Sequence, residues 1–457
     1  MAKMKVNMLE GSLAKNLILF CVPVILTGIL QLLFNACDMV VVGRFSGSEA
    51  LAAVGSTAAL ANLLVNAFMG LSVGVNVLAA QFFGARDYDN IQSTVHTAVT
   101  LGFVCGSVLA VLGIMVCRPC LEAMGTPADV IDLSVTYMRF YFLGMPFSLV
   151  YNFGAAILRA QGNTRQPLIF LIIAGVVNVI LNLIFVILLH MSVAGVAIAT
   201  AASQVVSAAL IIHYLRDPGS VYHLDYKKLW IHGKLFKKIL RIGVPASMNS
   251  MLFSFANIQI QSSINLFGSA AMAGSSAAAN IEGFIYIAMN AMHQAAINFT
   301  GQNVGAKCPD RVPKVVRWCL LYVTIVGLGI GGLCFLFGKN LISLYTQDLQ
   351  AIEQGLIRNG IITLTYFMCG YMEVFTGAIR GMGYSFSPMV ISLLGACGLR
   401  IVWIYTIFQM YQTLQVLYIS WPVSWALTTL ALIVCYAVVM GKTLKKYRVS
   451  QEETELC

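Results

Sequence analysis

The sequence predicts an all-α polytopic membrane protein with twelve transmembrane helices in two pseudo-symmetric six-helix bundles. Of its 457 residues, 59% are hydrophobic and only 10% charged, against roughly 25% charged in an average soluble domain. Mean hydropathy is +0.83. Many apolar runs reach the roughly 20 residues needed to cross a bilayer. They lack the alternation of a membrane strand, so helices alone satisfy their backbone in lipid. Finally, the two halves share motifs at a constant spacing. This composition excludes an ordinary cytosolic enzyme, a disordered chain and a nucleic-acid binder.

Apolar helices are expected at about 14–43, 50–83, 91–117, 129–160, 166–190 and 193–216 in the first half. The second half repeats them at about 237–267, 269–304, 312–337, 352–381, 388–411 and 413–440. Between the halves lies the longest polar interruption, Asp217 to Lys234, opened by the turn signal Asp217-Pro218-Gly219. The expected organisation is a bundle at 1–216, a cytoplasmic linker at 217–236, a second bundle at 237–441 and a cytoplasmic tail at 442–457.

Topology accounts for the net charge of +10. Arg86, Arg159, Arg165, Arg216, Lys227, Lys228, Lys234, Lys237, Lys238, Lys307, Arg311, Lys314 and Arg317 fall in alternate loops. Lys3, Lys5, Lys442, Lys445, Lys446 and Arg448 place both tails with that set. The opposite loops hold little beyond Arg44, Arg118 and Lys339. The positive-inside rule therefore puts both termini in the cytoplasm, with the spans in the plasma (inner) membrane. No cleavable signal is expected, since Lys3, Lys5 and Lys15 precede a long apolar helix without a small-residue cleavage site. The cysteines are scattered singly, except Cys117 and Cys120, whose C-x-x-C lacks a thioredoxin-like context and reads as two thiols at a helix end.

A shift of 221 places Gln81, Gly84, Ala85, Arg86 and Asp89 on Gln302, Gly305, Ala306, Lys307 and Asp310. The same shift carries Arg159, Gly162 and Pro167 onto Arg380, Gly383 and Pro388, while Pro23 and Pro245 match with one residue of slippage. Six helices return the chain to its starting side, so the repeats are parallel. Two such bundles facing one cleft can expose it to each side in turn, which is the physical basis of a transporter.

The loop Gln81-Phe82-Phe83-Gly84-Ala85-Arg86 and its counterpart Gln302-Asn303-Val304-Gly305-Ala306-Lys307 differ from the basic loop signature of the major facilitator superfamily. With Asp38-Met39-Val40-Val41-Val42-Gly43, Arg159-Ala160-Gln161-Gly162-Asn163-Thr164 and Ala279-Asn280-Ile281-Glu282-Gly283-Phe284, they resemble the multidrug and toxic compound extrusion (MATE) family, bacterial type. The resemblance covers nearly the whole chain. It implies a secondary antiporter that exports organic compounds, cationic and amphipathic ones above all, against inward Na+ or H+, with no cofactor besides the coupling ion. The expected partners are small organic molecules and the bilayer, and two bundles around one cleft need no second copy, so a monomer is expected. The alternative is a lipid-linked precursor flippase of the same wider superfamily, against which the scarcity of Lys and Arg in the spans argues. An embedded enzyme would need a nucleophile–base pair or metal cluster, and no H-E-x-x-H or G-x-S-x-G occurs.

An ionised carboxylate at the bilayer centre costs about 2.5–3.5 kcal/mol or more. Asp38, Glu282 and Glu373 are the acids well inside the spans. Asp38 lies about eight residues before the outer turn at Ser46-Gly47, or roughly 12 Å deep. Asn182 and Thr200 lie at similar depth on either side of the turn at His190, Asn178 is one turn from Asn182 on the same face, and Tyr137 shares the level. A carboxylate, amide carbonyls and a hydroxyl suit a hard cation, and a proton on Asp38 would serve as well. The resemblance implies a cation site of Asp38, Asn178, Asn182 and Thr200, with Tyr137 in the surrounding hydrogen-bond network. Relatives often carry a second acid where Asn182 stands. The 221 shift turns Asn178, Asn182 and Thr200 into Leu399, Trp403 and Trp421, confining coupling to the N-terminal half.

Glu282 and Glu373 differ in depth, so a direct pair is not expected, whereas His293 and Glu373 are close enough to bond. Glu282 either faces the cleft and attracts cationic substrates, accepts a second proton, or pairs with a polar neighbour. Arg139 and Arg400 either partner buried acids or snorkel to an interface. Met289, Met292, Met368, Met372, Phe255, Phe284, Tyr286, Tyr366 and Tyr371 are candidates for an adaptable cleft lining, of which about a third are expected to touch substrate.

Overall fold

The computed structural model describes residues 6–455, and the described residues are helical without a strand. The first half contains α1 (Leu13–Phe45), α2 (Ser48–Ala85), α3 (Tyr88–Ala123), α4 (Ile131–Leu143), α5 (Met145–Ala160), α6 (Arg165–Asn182) and α7 (Ser192–Leu215). The second contains α8 (Gly233–Asn265), α9 (Ser269–Gly305), α10 (Val312–Leu336), α11 (Gly338–Ser343), α12 (Leu349–Gly381), α13 (Phe386–Ser392), α14 (Leu399–Tyr405), α15 (Ile407–Met410) and α16 (Leu414–Glu455).

Nine helical stretches among the described residues are long and apolar enough to cross a membrane, or ten when α4 and α5 are taken as one span bent by 46°. The bend falls at Gly144, where Pro146 in the first turn of α5 lacks the N–H that would continue the ladder. α8 and α9 are equally long but more polar, and they supply the remaining rods of the expected twelve. Two spans contain π-helical turns, Leu183–Leu188 after α6 and Leu393–Gly398 between α13 and α14. Lys3 and Lys5, used above for topology, lie outside the described residues.

The repeat is visible in the backbone. Gly47 and Gly268 have φ of 90° and 86°, Arg86 and Lys307 have 55° and 59°, and Gly162 and Gly383 have 90° and 93°. Each pair is separated by the same shift found in the sequence. A non-glycine residue at positive φ is uncommon, so the matched left-handed Arg86 and Lys307 mark one turn built twice. Both turns close alike, Arg86 N–H donating to the Phe83 carbonyl and Lys307 N–H to that of Val304.

The described chain divides into two compact units, Leu26–Ser247 and Val6–Ile25 with Met248 onward. These boundaries differ from the polar linker at 217–236. The N-terminal stretch packs within the second unit, where Phe20 meets Phe299 edge-on at 5.8 Å, Asn303 Nδ2 donates to the Met8 carbonyl and Tyr322 Oη to that of Ala14. Conversely, Gly233–Ser247 belongs to the first unit, where Gly243 lies against Leu71. Each helix changes unit two residues beyond its internal proline, Pro23 in α1 and Pro245 in α8. Composition marks the polar loop, whereas packing draws the boundary at a break in the helical ladder.

In the second unit α9 and α12 approach backbone to backbone. A Cβ on Gly274 would collide with the Ala351 carbonyl and Gly355 N, and one on Gly355 would lie 2.8 Å from the Gly274 carbonyl. This crossing brings Ser275 and Glu282 of α9 to Arg358 of α12. Gly274→Val is therefore expected to destabilise the protein by about 1–3 kcal/mol, read as a lower unfolding midpoint in detergent. An unchanged midpoint would mean that the helices separate freely.

Candidate functional site: a buried polar ring in the first unit

Four side chains in the first unit close a ring. Asn182 Nδ2 donates to Asp38 Oδ1 at 2.5 Å and to Asn178 Oδ1 at 3.2 Å. Asn178 Nδ2 donates to Thr200 Oγ1 at 3.4 Å, and Thr200 Oγ1 donates to Asp38 Oδ2 at 3.3 Å. Asp38 is 8% exposed and Asn182 fully buried. α1 carries the acid, α6 presents both asparagines one turn apart, and α7 supplies the hydroxyl. The π-helical turn begins immediately after Asn182, and such turns recur at functional sites.

The ring has one unfilled valence. Asn182 Oδ1 is buried with no hydrogen-bond partner, and an orphaned buried acceptor costs about 1–3 kcal/mol. It belongs to the side chain whose Nδ2 orients the carboxylate, so the ring gathers acidic, amide and hydroxyl oxygens within one buried cluster. Among the described residues no cluster of three or more His, Cys, Asp or Glu could hold a metal ion. A carboxylate, amide oxygens and a hydroxyl are donors of the kind a hard cation takes.

Tyr137 is buried in the same unit but stacks on Tyr141, with ring centroids 5.9 Å apart. Among the described residues the four-membered ring closes through Thr200, without a hydrogen bond from Tyr137. Arg139 is exposed and partners no buried acid.

The second unit handles its acids differently. Arg358 clamps Glu282 in bidentate fashion, Nε to Oε1 and Nη2 to Oε2 at 2.8 Å each, while Nη1 donates to Ser275 Oγ at 2.8 Å. Glu282 is thus paired with an arginine that the sequence reading did not name, in keeping with the polar-neighbour alternative. The pairing depends on the close Gly274–Gly355 helix contact, which the sequence does not reveal. Glu373 is paired with His293, whose Nδ1 lies 3.0 Å from the Glu373 carboxylate and 2.8 Å from its carbonyl oxygen. Arg400 partners no acid; its Nε donates to Ser424 Oγ at 2.9 Å.

The candidate lining residues scatter. Met289 is fully buried in the core between α9 and α12, and Met292 and Met372 are buried with it. Tyr366 is buried, its ring 5.2 Å from that of Trp425. Tyr371 shares a 2.7 Å hydrogen bond with Thr324. Phe255, Phe284 and Tyr286 are exposed. Burial here reflects packing of apolar residues, which residue type alone does not distinguish from a binding surface.

A repeated all-helical membrane fold with a buried, charge-bearing ring in one half defines a polytopic membrane transporter rather than an enzyme. A family model described as MatE matches the chain twice, over residues 23–184 and 245–406. The chain belongs to the MatE family. The two matches begin at the two kink prolines, Pro23 and Pro245. Among relatives, the chain is 28% identical to the probable multidrug resistance protein YoeA of Bacillus subtilis over 445 residues, 95% of each chain. It is 26% identical to the probable multidrug resistance protein NorM of Thermotoga maritima, covering 87% of this chain and 86% of that one. The fold matches a solved structure described as the outward-facing conformation of a multidrug resistance MATE family transporter, with TM-score 0.87, 20% identity and coverage of 97% and 99%.

Proposed function

We propose that the protein is a secondary antiporter of the plasma membrane that exports amphipathic organic compounds by alternating access, driven by inward Na+ bound at Asp38, Asn178, Asn182 and Thr200. The observation carrying this reading is the unused Asn182 Oδ1 beside a buried single carboxylate. One carboxylate neutralises one Na+, and the neutral oxygens replace water ligands. Without a cation, the carboxylate is held by the Asn182 and Thr200 donors; with one, those groups turn their oxygens to the ion. The binding energy that differs between the two arrangements is what biases a conformational equilibrium. Relatives named for multidrug resistance support an organic cargo. Both termini lie in the cytoplasm and the monomer is the working unit in this reading. A role for Glu282 in attracting cationic compounds loses its basis, because Arg358 already satisfies it.

Efflux from proteoliposomes under separately imposed Na+ and pH gradients tests the reading. Na+-driven flux is expected. Flux on the pH gradient alone would replace Na+ by H+, and flux on neither would end the antiporter reading. Asn182→Ala removes both the orienting donor and the free oxygen, and is expected to weaken Na+ activation of flux roughly tenfold, the worth of one charge-assisted hydrogen bond. Unchanged Na+ activation would exclude Asn182 as a ligand.

A further inference from the structure

The second unit buries three guanidinium groups, Arg358, Arg380 and Arg400, against two carboxylates, Glu282 and Glu373. Arg358 has a carboxylate counter-charge in Glu282 and a third hydrogen bond to Ser275. Arg380 lies in the last turn of α12, where the helix carbonyls favour a cation. Arg400 has neither compensation. It sits mid-span, 3% exposed, with Ser424 as its one hydrogen-bond partner among the described residues. Among the described residues it forms no ion pair, and Cys369, Cys397, Tyr366 and Arg358 lie near enough to act on its charge. Trp421 and Trp425 flank it, ring centroids 5.1 and 5.7 Å from its guanidinium carbon.

The fold holds this residue in place. The π-helical turn Leu393–Gly398 ends two residues before Arg400, and a Cβ on Gly395 would collide with Thr428 of α16. That close approach presses α14 onto α16 and aims the Arg400 Nε at Ser424. Of five N–H donors in a guanidinium, one is used. A buried charge in a membrane span that lacks a counter-charge marks a ligand pathway by default, and a planar fork of donors is suited to bidentate recognition of carboxylate or phosphate.

We propose that Arg400, oriented by Ser424 and walled by Trp421 and Trp425, is an anion-accepting subsite within the second unit. It takes the acidic group of an amphipathic aromatic compound. Resting on the exporter reading, this deepens it: the cargo includes aromatic acids, not only cations.

The test is equilibrium binding to the full chain in nanodiscs without any ion gradient, read by quenching of tryptophan emission. The probes are pyrenebutyrate, pyrenebutanol and pyrenebutylamine, which share one aromatic body. Wild type is expected to prefer the acid over the alcohol by roughly 10- to 100-fold, the range for a hydrogen-bonded charge pair. Arg400→Gln is expected to abolish that preference, Arg400→Lys to keep part of it and Ser424→Ala to reduce it roughly threefold. Size-exclusion profiles and unfolding midpoints report folding, and if Arg400→Gln fails to fold, the lysine and Ser424 variants decide. Equal binding of acid and alcohol to wild type overturns the proposal, as does full acid preference in folded Arg400→Gln, or in both other variants. Selective acid binding with no gradient-driven flux would instead overturn the antiporter reading and leave this site standing.

Discussion

Replacing Asp38 by asparagine is expected to lower cation-driven efflux roughly 100-fold, corresponding to about 3 kcal/mol of lost cation stabilisation in a buried site, while leaving the fold intact. The amide is nearly the same shape as the carboxylate. Its Oδ1 can still accept from Asn182 Nδ2, and its amino group, standing where Oδ2 was, can donate to Thr200 Oγ1 once that hydroxyl turns its hydrogen away. Asn182 need not turn over, and it keeps the bond from its Nδ2 to Asn178 Oδ1. The ring therefore survives with one bond reversed, and the unfolding midpoint should move little. What disappears is the negative charge. Na+ protection against thermal unfolding, about 2.7 kcal/mol at a concentration 100 times its dissociation constant, should disappear with it. Retained coupling in Asp38→Asn would remove the ring from the mechanism. A large drop in midpoint would recast it as a structural brace.

The ring was legible because helical geometry alone predicts it. Depth counted from turns placed Asp38, Asn182 and Thr200 at one level, and a spacing of four put Asn178 beside Asn182. The repeat was equally legible, since its motifs sit at tight turns that the backbone reproduces. The partnership of Arg358 with Glu282 was not, because it depends on how closely two helices cross, and that distance is set by Gly274 and Gly355 on different helices. The exchange of helix segments between units at Pro23 and Pro245 was hidden for a related reason: hydropathy describes how each residue meets lipid, not which neighbour it packs on. π-helical turns leave no compositional mark, so the widened turn after Asn182 could not be anticipated.

The Glu282–Arg358 pair is expected to behave oppositely to Asp38. Removing one member of a buried pair typically costs about 3–5 kcal/mol because the other charge is stranded. The two single variants should not be equal. Arg358→Met strands a carboxylate, which can become neutral by taking a proton. Glu282→Gln strands a guanidinium, which cannot lose its charge in a protein. It would retain only Ser275 and the faces of Tyr418 and Trp421, 5.7 and 5.5 Å away. Glu282→Gln should therefore lower the unfolding midpoint more than Arg358→Met, and the double variant should recover most of the loss, since apolar or neutral replacement of a whole pair is often tolerated. Additive losses would show that the two charges are not coupled. Flux normalised to folded protein then separates the roles: it should persist in the double variant, since the pair holds α9 to α12, and fail in Asp38→Asn, where the acid has no cationic side chain as partner among the described residues.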